Sequence, residues 1–140
     1  MTEIKRVRDW RAKLSNVIEE RRRKPFSVAN NNCLHLVADG VLGMTGFDCA
    51  AQFRAEYQTA EEVLQAWHAA GYSDLGAVFA AHFEEIHPSQ ARAGDIMLFP
   101  SAWTGWTCGI VNGERVTVIG PPGLWTATRD IAKRAFRVPR

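Results

Sequence analysis

The sequence predicts an α+β fold in which helices come first and a small antiparallel sheet follows. Two observations carry that expectation. Up to about residue 90, apolar side chains recur at the three- and four-residue steps of amphipathic helices. From Ala93 onward the pattern changes to short apolar runs separated by glycine, proline and asparagine, as in strands joined by tight turns. One domain over residues 1–140 is expected, comprising a basic amphipathic helix (1–24), a helical part (25–90) and a sheet (93–140).

Val7, Trp10, Leu14, Val17 and Ile18 predict a first helix over about residues 4–23, which Pro25 stops. Phe26, Ser27 and Val28 read as a short extended entry. Beyond Cys33, the residues Leu34, Val37, Val41 and Leu42 predict a buried helix that ends near Gly43 or Gly46. Phe47–Tyr57 reads as a short helical turn with Phe53 and Tyr57 inward. Thr59-Ala60-Glu61-Glu62 matches a capping box, so a helix carrying Val63, Leu64 and Trp67 should run to Gly71. Asp74 should cap another, with Leu75, Val78, Phe79, Phe83 and Ile86 on one stripe and Pro88 as its stop. Ile96-Met97-Leu98-Phe99 predicts a strand buried on both faces. Thr107–Val111 and Arg115–Ile119 flank Asn112-Gly113, a hairpin signal. Gly120-Pro121-Pro122-Gly123 makes a hard turn, and 125–128 and 135–138 read as the last strands, with a turn over 130–133.

Composition narrows the class. Of the 140 residues, 46% are apolar and 23% charged, which is ordinary for a soluble globular chain. No run approaches a membrane span, and the charged start MTEIKRVRDW is no secretory signal, so synthesis in a cytoplasm is expected. Cys33, Cys49 and Cys108 are odd in number and widely spaced, which argues against a disulfide framework and against a zinc site. No cofactor motif is present. Residues 1–24 carry nine Lys/Arg against four Asp/Glu, while the rest of the chain is net acidic. Such an arm suits an anionic partner, but more often a charge run of this kind is a solvated helix face.

The chemistry-bearing stretch is Asn30-Asn31-Asn32-Cys33. Asn31 or Asn32 is a natural N-cap, which sets Cys33 at the start of a helix. Free N–H groups and the helix dipole there favour a thiolate, the setting of a cysteine nucleophile. The plain alternative is a small apolar residue packing a helix start.

A cysteine-bearing helix followed by a short antiparallel sheet resembles the NlpC-type, papain-like cell-wall peptidases. The polar run into Cys33 is similar to the loop ahead of their nucleophile helix. Ala93-Gly94-Asp95-Ile96-Met97-Leu98-Phe99 and Cys108-Gly109-Ile110-Val111-Asn112-Gly113 are similar to their Gly-Asp strand and Val-Gly-Ile hairpin. More closely, the chain resembles short NlpC-related proteins encoded in phage and prophage tail modules. Trp10, Pro25-Phe26, Cys33, Met44-Thr45-Gly46, Tyr57-Gln58-Thr59 and Arg134-Ala135-Phe136-Arg137-Val138 carry that likeness over about residues 7–138.

The resemblance implies Cys33 as nucleophile and a histidine base directly before the Val-Gly-Ile segment, where this chain has Thr107. The polar residue that would orient the histidine falls at Val118 or Ile119, both apolar. Threonine cannot deliver a proton to a leaving amine at neutral pH, so the triad reads as broken. His35, His68, His82 and His87 are the remaining imidazoles. A helical His35 points away from the Cys33 thiol, and a solvated surface position is the ordinary reading of each. One of them folding back toward Cys33 would supply a substitute base.

Trp103, Trp106 and Trp125 lie in or beside the strand connections, as anchors for a protein contact or as covers for the open end of the sheet. Cys49 and Cys108 read as core residues, and Asp95 as a turn-fixing carboxylate. The resemblance thus implies a phage tail-tip structural or assembly component, made in the host cytoplasm and carried in the virion. Its partners would be other tail proteins, with peptidoglycan as a further candidate, and no nucleic acid, cofactor or metal. The alternatives are an active cysteine peptidase or amidase that opens peptidoglycan peptides during DNA entry, and a cysteine acyltransferase or hydrolase unrelated to phage.

Overall fold

The computed structural model describes residues 3–102 and 104–140. Four α-helices precede and flank the sheet: α1 (Trp10–Arg21), α2 (Cys33–Thr45), α3 (Ala60–Ala69) and α4 (Leu75–Ala80). The strands are β1 (Glu84–Ile86), β2 (Ile96–Ser101), β3 (Gly105–Asn112), β4 (Arg115–Gly120), β5 (Gly123–Thr128) and β6 (Arg134–Arg137). They form one antiparallel sheet in the order β1-β6-β2-β3-β4-β5. The α+β expectation holds.

β2 is buried on both faces, as its unbroken apolar run requires. Ile96 and Leu98 share one side with Cys108, Ile110, Phe136 and the buried residues of α2, whereas Met97 and Phe99 join Val111, Val116 and Val118 on the other. α2 lies directly on β3. A Cβ at Gly40 would sit 3.1 Å from the Ile110 side chain, so the missing side chain is what admits this close approach. α2 ends as expected at Gly46, whose left-handed φ of 79° lets its N–H reach the Leu42 carbonyl.

Several local expectations are corrected. α1 starts at Trp10 rather than near residue 4, because Arg6 leaves the helix line to enter the core. There its guanidinium donates to Asp95 at 3.0 Å, to the Ala93 carbonyl at 2.8 Å and to the Val138 carbonyl at 3.1 Å. Leu42 is 40% exposed, and Met44 takes its place on the buried face of α2. The fourth helix stops at Ala80, and residues 84–86 form β1 instead of its last turn. Pairing with β6 wins there, reinforced by ion pairs from Glu85 to Arg134 and from Glu84 to Arg137. Finally, the hairpin loop is Gly113-Glu114, one residue later than read, since Asn112 pairs with Arg115. Gly113 supplies the positive φ of 67° that the first loop position needs.

The capping box at α3 is also incomplete. Thr59 accepts the Glu62 N–H, but the Glu62 carboxylate reaches the N–H of Gln58 and not that of Thr59. Asp95 fixes the turn into β2 as read, accepting the Arg92 N–H at 2.9 Å, and it also takes Arg140 at 3.1 Å.

Candidate functional site

Asparagines build the site. Asn31 donates to the carbonyls of Lys24 and Pro25 and so holds the entry loop closed. Asn32 is the N-cap of α2: its Oδ1 accepts the N–H groups of Leu34 at 2.9 Å and His35 at 3.2 Å. Its Nδ2 donates to the Val28 carbonyl. Cys33 is therefore the first residue of α2, as the Asn-rich run predicts.

Cys33 is buried and packs against Cys108 of β3. Burial pushes the Cys33 thiol up, but hydrogen bonds from the Cys108 side chain and from the backbone of Cys108, Leu34 and Cys33 outweigh it and leave it below its ordinary value. Cys108 goes the opposite way, raised well above the ordinary value by burial and by its neighbour Cys33. Of the two sulfurs, Cys33 is the one that ionises more readily. Cys49 is also buried and is pushed up to about 12, chiefly by burial and further by Asp48.

Cys33 lines a cleft of about 680 Å³ whose other walls are mostly apolar, including Phe26, Phe99, Val118, Ile119 and Trp125. Thr107 shares that cleft with Cys33, as do Ser101 and the Pro121-Pro122 turn. Among the described residues, no charged side chain and no imidazole lines it. The structure thus brings Cys33, Thr107, Val118 and Ile119 together. Among the described residues, the cleft sets Cys33 beside Thr107 where the resemblance expects a histidine, and Val118 and Ile119 where it expects the orienting polar residue.

The four histidines lie elsewhere. His35 is not a solvated residue: it is 7% exposed, and its Nδ1 accepts the Asn32 backbone N–H at 3.1 Å. Burial and the nearby Arg54, Arg21 and Lys24 charges lower its pKa to about 4, so the imidazole is neutral. His68 contacts the Ser73 carbonyl, His82 packs on the edge of Phe47, and His87 bonds Ser89. The role of His35 has a legible signal in hindsight, an acceptor side chain three residues after an asparagine N-cap.

Trp125 stands at the cleft wall and is 42% exposed. Trp106 is half-buried within β3 instead of on a loop, against the core and 5.7 Å from the Arg134 guanidinium. Trp103 lies outside the described residues. No group of three or more His, Cys, Asp or Glu is placed to hold a metal ion among the described residues. Nor is any helix there long and apolar enough to cross a membrane.

The fold matches NlpC/p60 domains of known structure. The NlpC/p60 domain of the peptidoglycan hydrolase SagA superposes with a TM-score of 0.56 at 14% identity, covering 91% of this chain and 97% of that one. RipD of Mycobacterium tuberculosis, described as a non-catalytic NlpC/p60 domain protein adapted to a peptidoglycan-binding function, superposes with a TM-score of 0.50 at 15% identity. That match covers 94% of this chain and 99% of RipD. No curated protein matches the chain. The model of one family, described as a domain of unknown function (DUF6950), matches residues 5–138, and the chain belongs to that family.

Proposed function

We propose that this protein is a non-catalytic NlpC/p60-type domain that works by binding, as a structural or assembly component of a phage tail tip. One observation carries the non-catalytic part: among the described residues, the cleft beside Cys33 holds Thr107, Val118 and Ile119 and no imidazole. A thiolate that attacks an amide must have a proton delivered to the departing amine, and among the described residues no second titrating group lines this cleft to do so. The tail-tip setting is supported by the resemblance to phage-encoded NlpC-related proteins over residues 7–138. Its partners would be neighbouring tail proteins, with peptidoglycan as a second ligand of the kind RipD is described as binding.

The active-peptidase reading has one observation of its own, the lowered pKa of Cys33 at a helix N-terminus. Incubating the purified protein with peptidoglycan separates the two. No muropeptide release is expected. Release that disappears in Cys33→Ala would establish the enzyme and overturn the proposal. The setting is tested in a phage that carries the gene. Cys33→Ala particles should assemble normally, whereas loss of the gene product should leave tails defective at the tip. Normal infectious particles without the protein would sink the tail-tip role.

A further inference from the structure

Cys33 and Cys108, far apart in sequence, meet at the start of α2, and the folded chain treats them differently. Cys33 and Cys108 are 2% and 0% exposed, belong to one core cluster, and are hydrogen-bonded through their side chains. Cys33 also lines the cleft, which gives a small molecule a path to its sulfur, while Cys108 and Cys49 do not line it. Among the described residues, no imidazole stands in the cleft to engage the Cys33 sulfur in its place. The arrangement is an accessible sulfur with a second sulfur waiting behind it. Oxidation chemistry needs that order, an attacking thiolate first and a resolving thiol in reach of it.

We propose that Cys33 and Cys108 form a reversible disulfide when a hydroperoxide enters the cleft. The Cys33 thiolate attacks one peroxide oxygen, an S–O bond forms, and the O–O bond breaks. With hydrogen peroxide the leaving hydroxide takes up the proton lost by Cys33 and departs as water. The Cys108 sulfur then attacks the sulfenic sulfur, the S–S bond forms, and the S–O bond breaks. The departing hydroxide carries off the Cys108 proton as a second water. The two sulfurs lose two electrons and the peroxide gains them. An external dithiol reverses the change by exchange. This site is independent of whether the domain acts in a phage tail or cleaves peptidoglycan. Its effect is to remove the Cys33 thiol from the cleft.

The test uses the full chain and hydrogen peroxide at one equivalent, followed by alkylation and digestion without reduction. The expected product is a Cys33–Cys108 linked peptide, a mass loss of about 2 Da, and full recovery with dithiothreitol. Cys49, buried away from the cleft, should remain alkylatable after denaturation. In Cys108→Ser the same treatment should leave a Cys33 sulfenic acid captured by dimedone, with no cross-link. If that variant does not fold, Cys33→Ser serves, and its two remaining thiols should survive one equivalent of peroxide. Any of three results overturns the proposal: Cys33 rising to sulfinic acid beside a free Cys108, a Cys49–Cys108 bridge, or three intact thiols in the treated wild-type chain.

Discussion

His35 and Asn32 cap α2 reciprocally: the asparagine Oδ1 accepts the His35 N–H at 3.2 Å, and the imidazole Nδ1 accepts the Asn32 N–H at 3.1 Å. The one imidazole close to Cys33 in sequence is thus committed to holding the helix start. It can accept that bond only when Nδ1 is unprotonated. A residue that looks like a spare base is a structural acceptor.

This commitment predicts a pH dependence of stability. The folded-state pKa of His35 is about 4, below the unfolded value near 6.5, so the unfolded chain takes up the proton first. The stability tied to a neutral His35 is complete above about pH 6.5 and falls as pH drops from there toward 4, by roughly 2–3 kcal/mol. His35→Gln keeps an acceptor at the same capping position and should flatten this window. Urea denaturation of both chains at pH 7.5 and 5 measures the difference. Equal pH slopes would show that another group is responsible.

Asp95 predicts a larger effect. It is fully buried and accepts from Arg6, Arg140, the Val138 N–H and the Arg92 N–H. Asp95→Ala leaves the Arg6 guanidinium buried without its counter-charge, which should cost roughly 3–5 kcal/mol. The double change Arg6→Met with Asp95→Ala should lose less than the Asp95 change alone. A double-mutant cycle by equilibrium unfolding reads this directly.

Gly109 sets a steric limit in β3. A Cβ there would lie 2.5 Å from a Val116 methyl and 2.7 Å from the Thr117 carbonyl oxygen. The backbone of β4 cannot yield like the tip of a side chain. Gly109→Ala is expected to destabilise the protein by about 2 kcal/mol through overpacking. Thermal unfolding would show it, and an unchanged midpoint would mean that β3 and β4 part readily at this point.

These cases separate what is legible in the sequence from what is not. The asparagine cap, α2, the Gly46 stop and the β2 run are local, and periodicity and capping chemistry suffice for them. Arg6 reads as one more cation of a basic arm, because its partner Asp95 is 89 positions away. Ile86 fits a helical stripe as well as a strand, and only the pairing of Glu85 with Phe136 and of Ile86 with Ala135 decides for β1. At the site, Cys33, Thr107, Val118 and Ile119 were findable through the family resemblance. The apolar walls from Phe26, Pro121 and Pro122, and the approach of Cys108 to Cys33, need the folded chain.

Cys108 is expected to control the reactivity of Cys33. Its side chain and backbone hydrogen-bond the Cys33 sulfur and act to lower that pKa. Cys108→Ala removes the side-chain donor while keeping the backbone one, so the alkylation midpoint of Cys33 should move up. In the wild-type chain it should lie below the free-thiol value of about 8.5. Alkylation rates followed by peptide mass against pH give both values. A wild-type midpoint at or above the free-thiol value would remove the case for a partly ionised Cys33.

Thr107 is where the absence of catalysis can be probed by addition. It lines the same cleft as Cys33, so Thr107→His would place an imidazole in the space where the wild-type chain has none. A positioned base and acid contributes about 10²–10⁴-fold to acyl-transfer chemistry. This imidazole would have only Val118 and Ile119 where an orienting partner is needed. Weak muropeptide release is therefore expected from Thr107→His, none from the unmodified protein, and none from Thr107→His combined with Cys33→Ala. A further change of Val118 or Ile119 to asparagine tests the orientation argument: the variant that supplies the polar partner should gain about tenfold or more over Thr107→His alone. If Thr107→His folds, as judged by its unfolding midpoint, and neither it nor the double variant cleaves, then the cleft itself excludes the peptide. Its uncharged walls of Phe26, Phe99, Val118, Ile119 and Trp125 would then be what rules out hydrolysis, and not the missing base.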